Sequence, residues 1–328
     1  MTQLAGTTDT YRIASGGGIR EDLEDTIWDL FPNDTWALTN LEKVEASNAF
    51  HEWLGDNLAG ATINRQLEGD DASFSTFAQA TRYGNYQQIS RKTFLISRTL
   101  DAVAKAGRRK ESARAQMKSM RELKRDMELA LIGNQASSSG GSATTRSSAG
   151  LESWIATTDN GGNGVKATTS ASGSTAGFSS GTVAAPVDGS TTGAIAEAKF
   201  AEMLGLVWAD GADPRIVLAG QTQKNAINAF AGIATRFVDV VPTKQATITG
   251  AADMYVSSYG KHTIVLHRYM RSSVVLAFDP DYLAVSYIDK PFMEELAKTG
   301  DGRKFQVISE FGLVVRNPNA AGKVYACT

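Results

Sequence analysis

The most regular pattern of apolar and polar positions lies near the end of the chain, in the segment KFQVISEFGLVVRN (304–317). Its odd positions hold the apolar residues Phe305, Val307, Phe311, Leu313 and Val315. A period of two is typical of a strand that buries one face. Three more β-rich segments lie upstream, MYVSSYGKHTIVLHRYM, SSVVLAF and YLAVSYI, with a turn predicted at 259–261.

A second pattern, in the segment AGRRKESARAQMKSMRELKRDMELALIGN (106–134), has the spacing of a helix. Gly133 and Asn134 predict where this helix ends. The predicted apolar stripe consists of Ala113, Met117, Met120, Met127 and Leu131, with Leu123 and Ala130 at its edge. Two pairs are predicted one turn apart on the polar face, Lys118 with Glu122 and Lys124 with Glu128.

Apolar residues are sparse between Asn57 and Ser90, and Gly60, Gly69 and Gly84 interrupt the segment. This pattern predicts a long two-stranded excursion with a tip at 68–71. A lone two-stranded ribbon is only marginally stable in water, because it cannot bury both of its faces. We therefore expect this segment to lie on something outside itself.

The rest of the chain alternates helix and strand after a linker-like stretch. Residues 136–193 are rich in Ser, Gly, Thr and Ala, which predicts mostly loop, interrupted by the apolar island LESWIA (151–156). RIVLAG (215–220) predicts a buried strand and QTQKNAINAF (221–230) a helix. Before them, one helical face is predicted from Phe200, Leu204, Val207 and Trp208. The predicted fold class is α+β.

The first 40 residues lack an independent core. Residues 1–18 are small and polar, which predicts an extended arm. The segment LEDTIWDLF (23–31) then has helical spacing, and Pro32 ends it. Two interpretations stay open here: a short amphipathic surface helix, or an arm that docks on a neighbouring subunit.

Opposite charges lie at the two ends of the block 18–135. The formal net charge of the chain is −2, which argues against a dedicated nucleic-acid binder. The basic run of the predicted helix is either a solvated face or a face that meets an acidic arm or packaged nucleic acid. We predict assembly contacts at acidic Glu21, Asp22, Glu24, Asp25, Glu68 and Asp70, and at basic Arg108, Arg109, Lys110, Arg121 and Arg125.

No catalytic, cofactor or metal site is predicted. His51 and Glu52 begin like a zinc-protease helix, but Gly55 stands where the second histidine would be needed. His262 and His267 are an odd number of residues apart, so in one strand they would face opposite sides. Cys327 is the single cysteine and is expected to be an unreactive free thiol. The pairs Glu21/Asp22, Asp70/Asp71 and Glu294/Glu295 are expected to be solvated.

Several segments together resemble a family of tailed-bacteriophage major capsid proteins. They are GIREDLEDTIWDLFPNDTW, HEWLGDNLA, RYGNYQQIS, AGRRKE, ELKRDMELALIGN and LAKTGDGRKFQVISEFGLVVRNPNAAG. The resemblance implies the Hong Kong 97-like capsid fold. It divides the chain into an N-terminal arm and lead-in (1–56), an extended loop (57–90), a peripheral domain with a long spine helix (91–150), an axial domain (151–290) and a return to the peripheral domain (291–328).

The resemblance implies a viral major capsid protein, not an enzyme, that self-assembles into an icosahedral head shell around double-stranded DNA. Expected partners are copies of the chain in hexamers and pentamers, scaffolding, portal and cement proteins, and non-specifically the packaged DNA, without a membrane. Assembly is expected in the host cytoplasm. The segment 57–90 has no lysine, which argues against an isopeptide weld from this loop. Alternatives are an encapsulin-like compartment, a tail-tube or decoration protein, and a hydrolase.

Overall fold

The computed structural model describes residues 34–72, 74, 76–103, 109–174, 177–230 and 253–328. The helices are α1 (Trp36–Asn40), α2 (Arg98–Ala102), α3 (Glu111–Ile132), α4 (Leu151–Trp154), α5 (Glu197–Ala209) and α6 (Gln221–Asn228). The first eight strands are β1 (Glu42–Glu45), β2 (Phe50–Gly55), β3 (Thr81–Tyr86), β4 (Gln88–Ser97), β5 (Gly164–Lys166), β6 (Gly173–Ser174), β7 (Phe178–Ser179) and β8 (Thr182–Val183). The other strands are β9 (Val187–Asp188), β10 (Ile216–Ala219), β11 (Met254–Ser257), β12 (Gly260–Leu266), β13 (Val275–Phe278), β14 (Leu283–Leu296), β15 (Gly302–Val315) and β16 (Ala321–Tyr325).

A four-stranded sheet with the order β1-β14-β15-β4 forms one half of the described structure. Its centre is the long antiparallel hairpin of β14 and β15. All of β4 pairs antiparallel with the first part of β15, residues 302–311. The predicted alternation in β15 is confirmed, since its five odd-numbered apolar residues are at most 2% exposed. Four of them, all but Phe305, pack in one cluster with Leu123, Met127 and Leu131 of the long helix α3. The sheet and α3 therefore share a core.

The long helix α3 buries a different stripe from the predicted one. Met117 is 62% exposed and Ala113 is also exposed, whereas Leu123 is fully buried. The buried face includes Ser112, Ser119, Leu123, Met127, Glu128, Ala130 and Leu131. Polar residues occupy this face because each of the polar groups Ser112 and Glu128 has a hydrogen-bonding partner from another part of the chain. The helix ends at Ile132 as predicted, with Gly133 in an extended conformation.

The two predicted Lys–Glu pairs of α3 have different outcomes. Lys118 lies 3.8 Å from Glu122 across one turn, as expected for residues four apart. The pairing of Lys124 with Glu128 was wrong, because Glu128 is fully buried and its carboxylate contacts other groups. The spacing of charges along one helix does not show when a residue far away in the sequence forms a hydrogen bond with one of them.

Within the described residues a second sheet has six strands in the order β11-β12-β10-β13-β16-β5. Helix α5 packs on it through Phe200, Met203, Leu204 and Val207, and Trp208 was wrongly assigned to this face because it is 56% exposed. The turn between β11 and β12 lies at 258–259, slightly before its predicted place. Strand β16 pairs with β13 and β5, so the segment 291–328 contributes strands to both sheets. The domain boundaries themselves stay predictions.

The segment 136–193 is more ordered than its composition indicated. It contains α4, β5 and two small antiparallel pairs, β6 with β9 and β7 with β8. Trp154 in the apolar island is fully buried, with Leu151 and Ile155 beside it at 3% and 1% exposure. The prediction of mostly loop is confirmed, since helix and strand occupy a minority of the segment, but the segment is packed against the core and is not a linker. The fold as a whole mixes helices and sheets, as predicted.

Candidate assembly surfaces

A two-stranded ribbon of β2 and β3 leaves the body of the protein beside β15. Strands β2 and β3 pair antiparallel from Phe50 with Tyr86 to Gly55 with Thr81, so the ribbon begins earlier than predicted and includes HEWLG. An exposed ion pair between Arg82 and Glu52 bridges the two strands. The two-stranded excursion predicted at 57–90 is confirmed only in part: its tip lies where predicted, but β2 precedes the predicted segment and the described residues of 56–80 contain no strand.

For the structure we keep the name extended loop for residues 56–80, which join β2 to β3, whereas the capsid resemblance places the loop at 57–90. Every residue of it that the structure describes is exposed. Large apolar side chains project from it without cover: Leu58 is 99% exposed, Ile63 82%, Leu67 80%, Phe74 98% and Phe77 97%. Monomeric soluble proteins rarely expose so many large apolar side chains along one segment, and such exposure marks interaction sites. Among the described residues, the extended loop thus has no core on which to pack.

The predicted acidic contacts Glu68 and Asp70 lie at the tip of the extended loop. Gly69 between them has φ +85°, a left-handed conformation that glycine adopts without strain. The Asp70 amide donates to the Leu67 carbonyl at 3.2 Å, and the Asp71 amide donates to Oδ1 of Asp70 at 3.0 Å. The tip is therefore a tight turn that presents carboxylates to solvent.

Four aromatic rings hold the root of the ribbon. Trp53 of β2 lies 5.7 Å from Trp154, Trp154 stacks on Phe178 at 5.3 Å, and Phe178 contacts Tyr83 of β3 at 5.3 Å. Nε1 of Trp53 donates to the Val315 carbonyl at 3.0 Å, which ties β2 to β15. Such ring pairs stabilise beyond their area burial. The four residues were not predicted to form one cluster, although Trp154 and Phe178 stand out as aromatic residues in a Gly- and Ser-rich segment.

The predicted basic contacts are found in two places along α3. Arg109 and Lys110 are exposed where the helix begins, and Arg121 is exposed near its middle. Arg125 is partly buried: its Nε donates to Oη of Tyr269 at 2.7 Å, and its guanidinium lies 5.6 Å from the Tyr269 ring centre. Arg108 and the arm residues Glu21, Asp22, Glu24 and Asp25, with the predicted helix of the arm, lie outside the described residues.

A buried carboxylate links the long helix α3 to α1 and to His267, which directly follows β12. Glu128 of α3 accepts the amides of Ala37 at 2.7 Å and Leu38 at 3.0 Å, and it lies 3.0 Å from Nε2 of His267. The Tyr269 amide donates to Nδ1 of His267, so Nε2 carries the proton and donates to Glu128. Burial, with the Glu128 charge as a smaller cause, raises the pKa of Tyr287 to about 12. This cluster fixes α1, α3 and β14 against each other.

A family model now decides the class of this protein. The model of the SU10 major capsid protein matches residues 2–328. The chain belongs to the SU10 major capsid protein family. It is a structural protein of the viral head shell, where many copies of a subunit assemble, and it is a component of the virion capsid. A search of curated proteins finds no significant match.

Solved capsid structures have the same fold as this major capsid protein. The capsid of the native GTA particle matches with a TM-score of 0.65 and 13% identity over 96% of this chain and 98% of that one. The capsid of cyanophage A-1(L) matches with a TM-score of 0.65 and 14% identity, over 94% of this chain and 97% of that one. The structure from Mycobacterium phage Adephagia matches with a TM-score of 0.60 and 11% identity, over 97% of this chain and 98% of that one. The Hong Kong 97-like fold is thus confirmed over nearly the whole subunit.

The side chains considered for chemistry have structural roles in this capsid subunit. HEWLG is a strand, so His51 and Glu52 alternate across it, and burial lowers the pKa of His51. His262 is buried between Oγ of Ser257 at 2.7 Å and the Pro214 carbonyl at 2.6 Å. Burial raises the pKa of Cys327 to about 12. Among the described residues, no group of three or more His, Cys, Asp or Glu could hold a metal ion.

The predicted solvated carboxylates agree with the structure wherever it describes them. Asp70, Asp71, Glu294 and Glu295 are all exposed. A hydrogen bond from Arg303 lowers the pKa of Glu295, with smaller contributions from the charges of Arg303 and Lys298. Of the helices in the described part of the chain, none has the length and apolar character needed to cross a membrane.

Proposed function

We propose that this capsid subunit assembles as hexamers and pentamers into an icosahedral head shell around packaged double-stranded DNA, and that each extended loop is covered by a neighbouring subunit. The single observation that carries the proposal is the exposure of Leu58, Ile63, Leu67, Phe74 and Phe77. Fully burying one such side chain contributes about 1.5–3 kcal/mol. Every subunit donates one loop and receives another, so the lattice multiplies contacts that are weak singly.

In this proposal the parts of the chain have the roles that the capsid resemblance implies. Residues 1–56 form an arm and lead-in, α3 is the spine helix of a peripheral domain, and the six-stranded sheet belongs to an axial domain. The exposed basic residues Arg109 and Arg121 meet the acidic arm of a neighbour. They also offer the packaged DNA non-specific contact. Assembly takes place in the host cell, together with portal, scaffolding and cement proteins.

Covalent welding from the extended loop is not part of the proposal. The loop contains no lysine, and Lys92 is the nearest one after it. In the structure Lys92 forms an ion pair with Asp126 of α3 at 2.5 Å. Loop contacts between subunits are therefore non-covalent, and cement proteins supply any further reinforcement of the shell.

The proposal is tested by expressing the chain and a double variant, Phe74→Ser with Phe77→Ser, and examining both by electron microscopy. We expect closed polyhedral particles from the native chain. The variant should keep its circular dichroism and melting temperature as a subunit but form few or no shells, because its loop loses the apolar contacts. A matched control is Met254→Ser with Leu266→Ser, two side chains outside the loop that are each 51% exposed. Tubes or monomers from the native chain would contradict the proposal.

A further inference from the structure

A basic cavity lies at the end of the four-stranded sheet, where the hairpin of β14 and β15 turns beside the start of α3. Its volume is about 340 Å³. The charged side chains that line it are Arg98, Asp101, Lys110, Lys298, Asp301 and Arg303. Four cations against two carboxylates leave the lining with a net positive charge. A concave surface with an excess of one charge attracts a partner of the opposite charge.

Both carboxylates of the cavity already have partners within the chain. Asp301 forms an ion pair with Arg98 at 3.0 Å. Asp101 accepts the amide of Ser112 at 3.2 Å and its hydroxyl at 3.1 Å. Arg303 binds Glu295 outside the cavity through two hydrogen bonds of 2.9 and 2.7 Å. The ammonium groups of Lys110 and Lys298 form no ion pair with the described carboxylates, so the cavity can receive further negative charge.

The tip of the extended loop has the matching chemistry. The loop carries four acidic residues and one arginine, a net charge of −3, and Glu68, Asp70 and Asp71 are concentrated at the tip. All three are exposed, so the loop of a subunit does not fill the cavity of the same subunit. The occupant that fits is therefore the tip from a second copy.

The lengths of the two elements agree with this assignment. Strand β4 begins next to the ribbon root and ends at Ser97, a cavity residue, after 10 residues. At about 3.3 Å per residue it spans roughly 33 Å. Half of the extended loop is about a dozen residues and reaches roughly 40 Å when extended. A loop that follows the neighbouring sheet lengthwise can therefore place its tip at the far end, where the cavity lies.

We propose that the acidic tip of one subunit, Glu68, Asp70 and Asp71, binds in the basic cavity of a neighbouring copy, where Lys110 and Lys298 receive its carboxylates. This inference rests on the proposed function, because it needs loops that reach across to neighbours. The acidic tip would supply the charged part of the contact between subunits, and the apolar side chains of the rest of the loop would supply the other part. Such charge pairing governs the rate and register of association more than its final strength.

A charge-swap experiment tests the pairing. One double variant reverses the tip, Asp70→Lys with Asp71→Lys, another reverses the cavity, Lys110→Glu with Lys298→Glu, and a third carries all four changes. Lys110→Glu is compatible with α3, because an acidic side chain is favourable where a helix begins. We expect each reversal to slow assembly about tenfold at low salt, with a smaller effect at high salt, and the combination to recover to within about twofold of the native rate.

Matched controls separate position from total charge. Lys261→Glu with Lys290→Glu repeats the cavity change, and Asp159→Lys with Asp289→Lys repeats the tip change, at exposed positions outside both surfaces. Assembly is followed by light scattering, and particles are checked by microscopy. Native-rate assembly of the tip or cavity variant would overturn the inference, and so would failure of the combined variant to recover. Recovery of the cavity variant by reversing Glu21, Asp22, Glu24 and Asp25 instead would assign the cavity to the arm and overturn the inference too.

A second measurement does not depend on how the reversals fold. In a chain with Asp70→Cys and Lys298→Cys, a short bismaleimide should join subunits of assembled particles into multimers on a denaturing gel. Buried Cys327 does not compete. Exclusively intrachain products, or none, would contradict the inference. If the native chain forms shells and the tip and cavity variants assemble at the native rate, only the cavity assignment is refuted. If the native chain forms no shells, the proposed function is refuted.

Discussion

Two Gly-containing segments that both look like loops in the sequence have opposite fates in the structure. In the segment 136–193, Trp154, Ile155, Ala171 and Val183 are at most 5% exposed and join the cores. In the extended loop, no described residue is buried. The comparison teaches that composition does not decide which segment is packed. What decides it is whether the described part of the chain supplies a partner for the apolar side chains, and we propose that the extended loop finds that partner on another subunit.

The largest expected effect contrasts one buried ring with one exposed ring. Trp154→Ala should lower the free energy of unfolding of the unassembled subunit by about 3–5 kcal/mol, because it removes a fully buried ring between Trp53 and Phe178. Phe77→Ala, at 97% exposure, should change it by less than about 0.5 kcal/mol. Denaturant titration of both variants measures the contrast. Similar losses for both would mean that the extended loop is packed in the free subunit.

Raising the pH should lower the free energy of unfolding through the packed core, which contains Tyr287, and not through the extended loop. Tyr287 has a folded pKa of about 12 against an ordinary value of 10.0, so the unfolded chain loses this proton first as the pH rises. The contribution of Tyr287 to the free energy of unfolding is complete below pH 10. About 2–3 kcal/mol of this free energy is lost as the pH rises towards 12. Tyr287→Phe should remove that part of the alkaline loss, measured by denaturant titrations from pH 9 to 12. An identical alkaline slope in native chain and variant would contradict it.

A pair of glycine substitutions gives a smaller and closely matched contrast. A Cβ on Gly150 would lie 2.1 Å from the Gly133 carbonyl oxygen, whereas a Cβ on Gly60 would meet nothing within 4 Å. Gly150→Ala should therefore cost about 1–3 kcal/mol of unfolding free energy, and Gly60→Ala almost nothing. Melting curves of the two variants are the check. An equal cost at both positions would remove the structural distinction between the segments.

Periodicity predicted the regular core elements because they bury one continuous face. The alternation of β15 and the C-terminal end of α3 follow directly from the sequence, whereas the described helix begins at Glu111, later than the predicted start at 106. The buried face of α3 could not be predicted, because Glu128 is satisfied by Ala37, Leu38 and His267, which are far away in the chain. A buried charge without visible local partners is assigned to solvent by any pattern of hydrophobicity.

The candidate surfaces were predicted only in part, for a similar reason. The exposed tip with Glu68 and Asp70 was predicted, since a polar turn needs only local information. The basic cavity was not, because Arg98, Lys298 and Arg303 come together only when β4 pairs with β15. The packing of 136–193 was also missed, because its two-residue strands are too short to show a period.

Thiol labelling tests most directly the central claim that the extended loop is open in the free subunit and covered in the shell. Leu67→Cys reports on the loop and Ala171→Cys on the packed segment, and buried Cys327, with its raised pKa of about 12, stays unlabelled near pH 8. We predict fast labelling of Leu67→Cys in free subunits, slow labelling of Ala171→Cys in both states, and at least about tenfold protection of Leu67→Cys in shells. Equally fast labelling of Leu67→Cys in shells and free subunits would contradict the account.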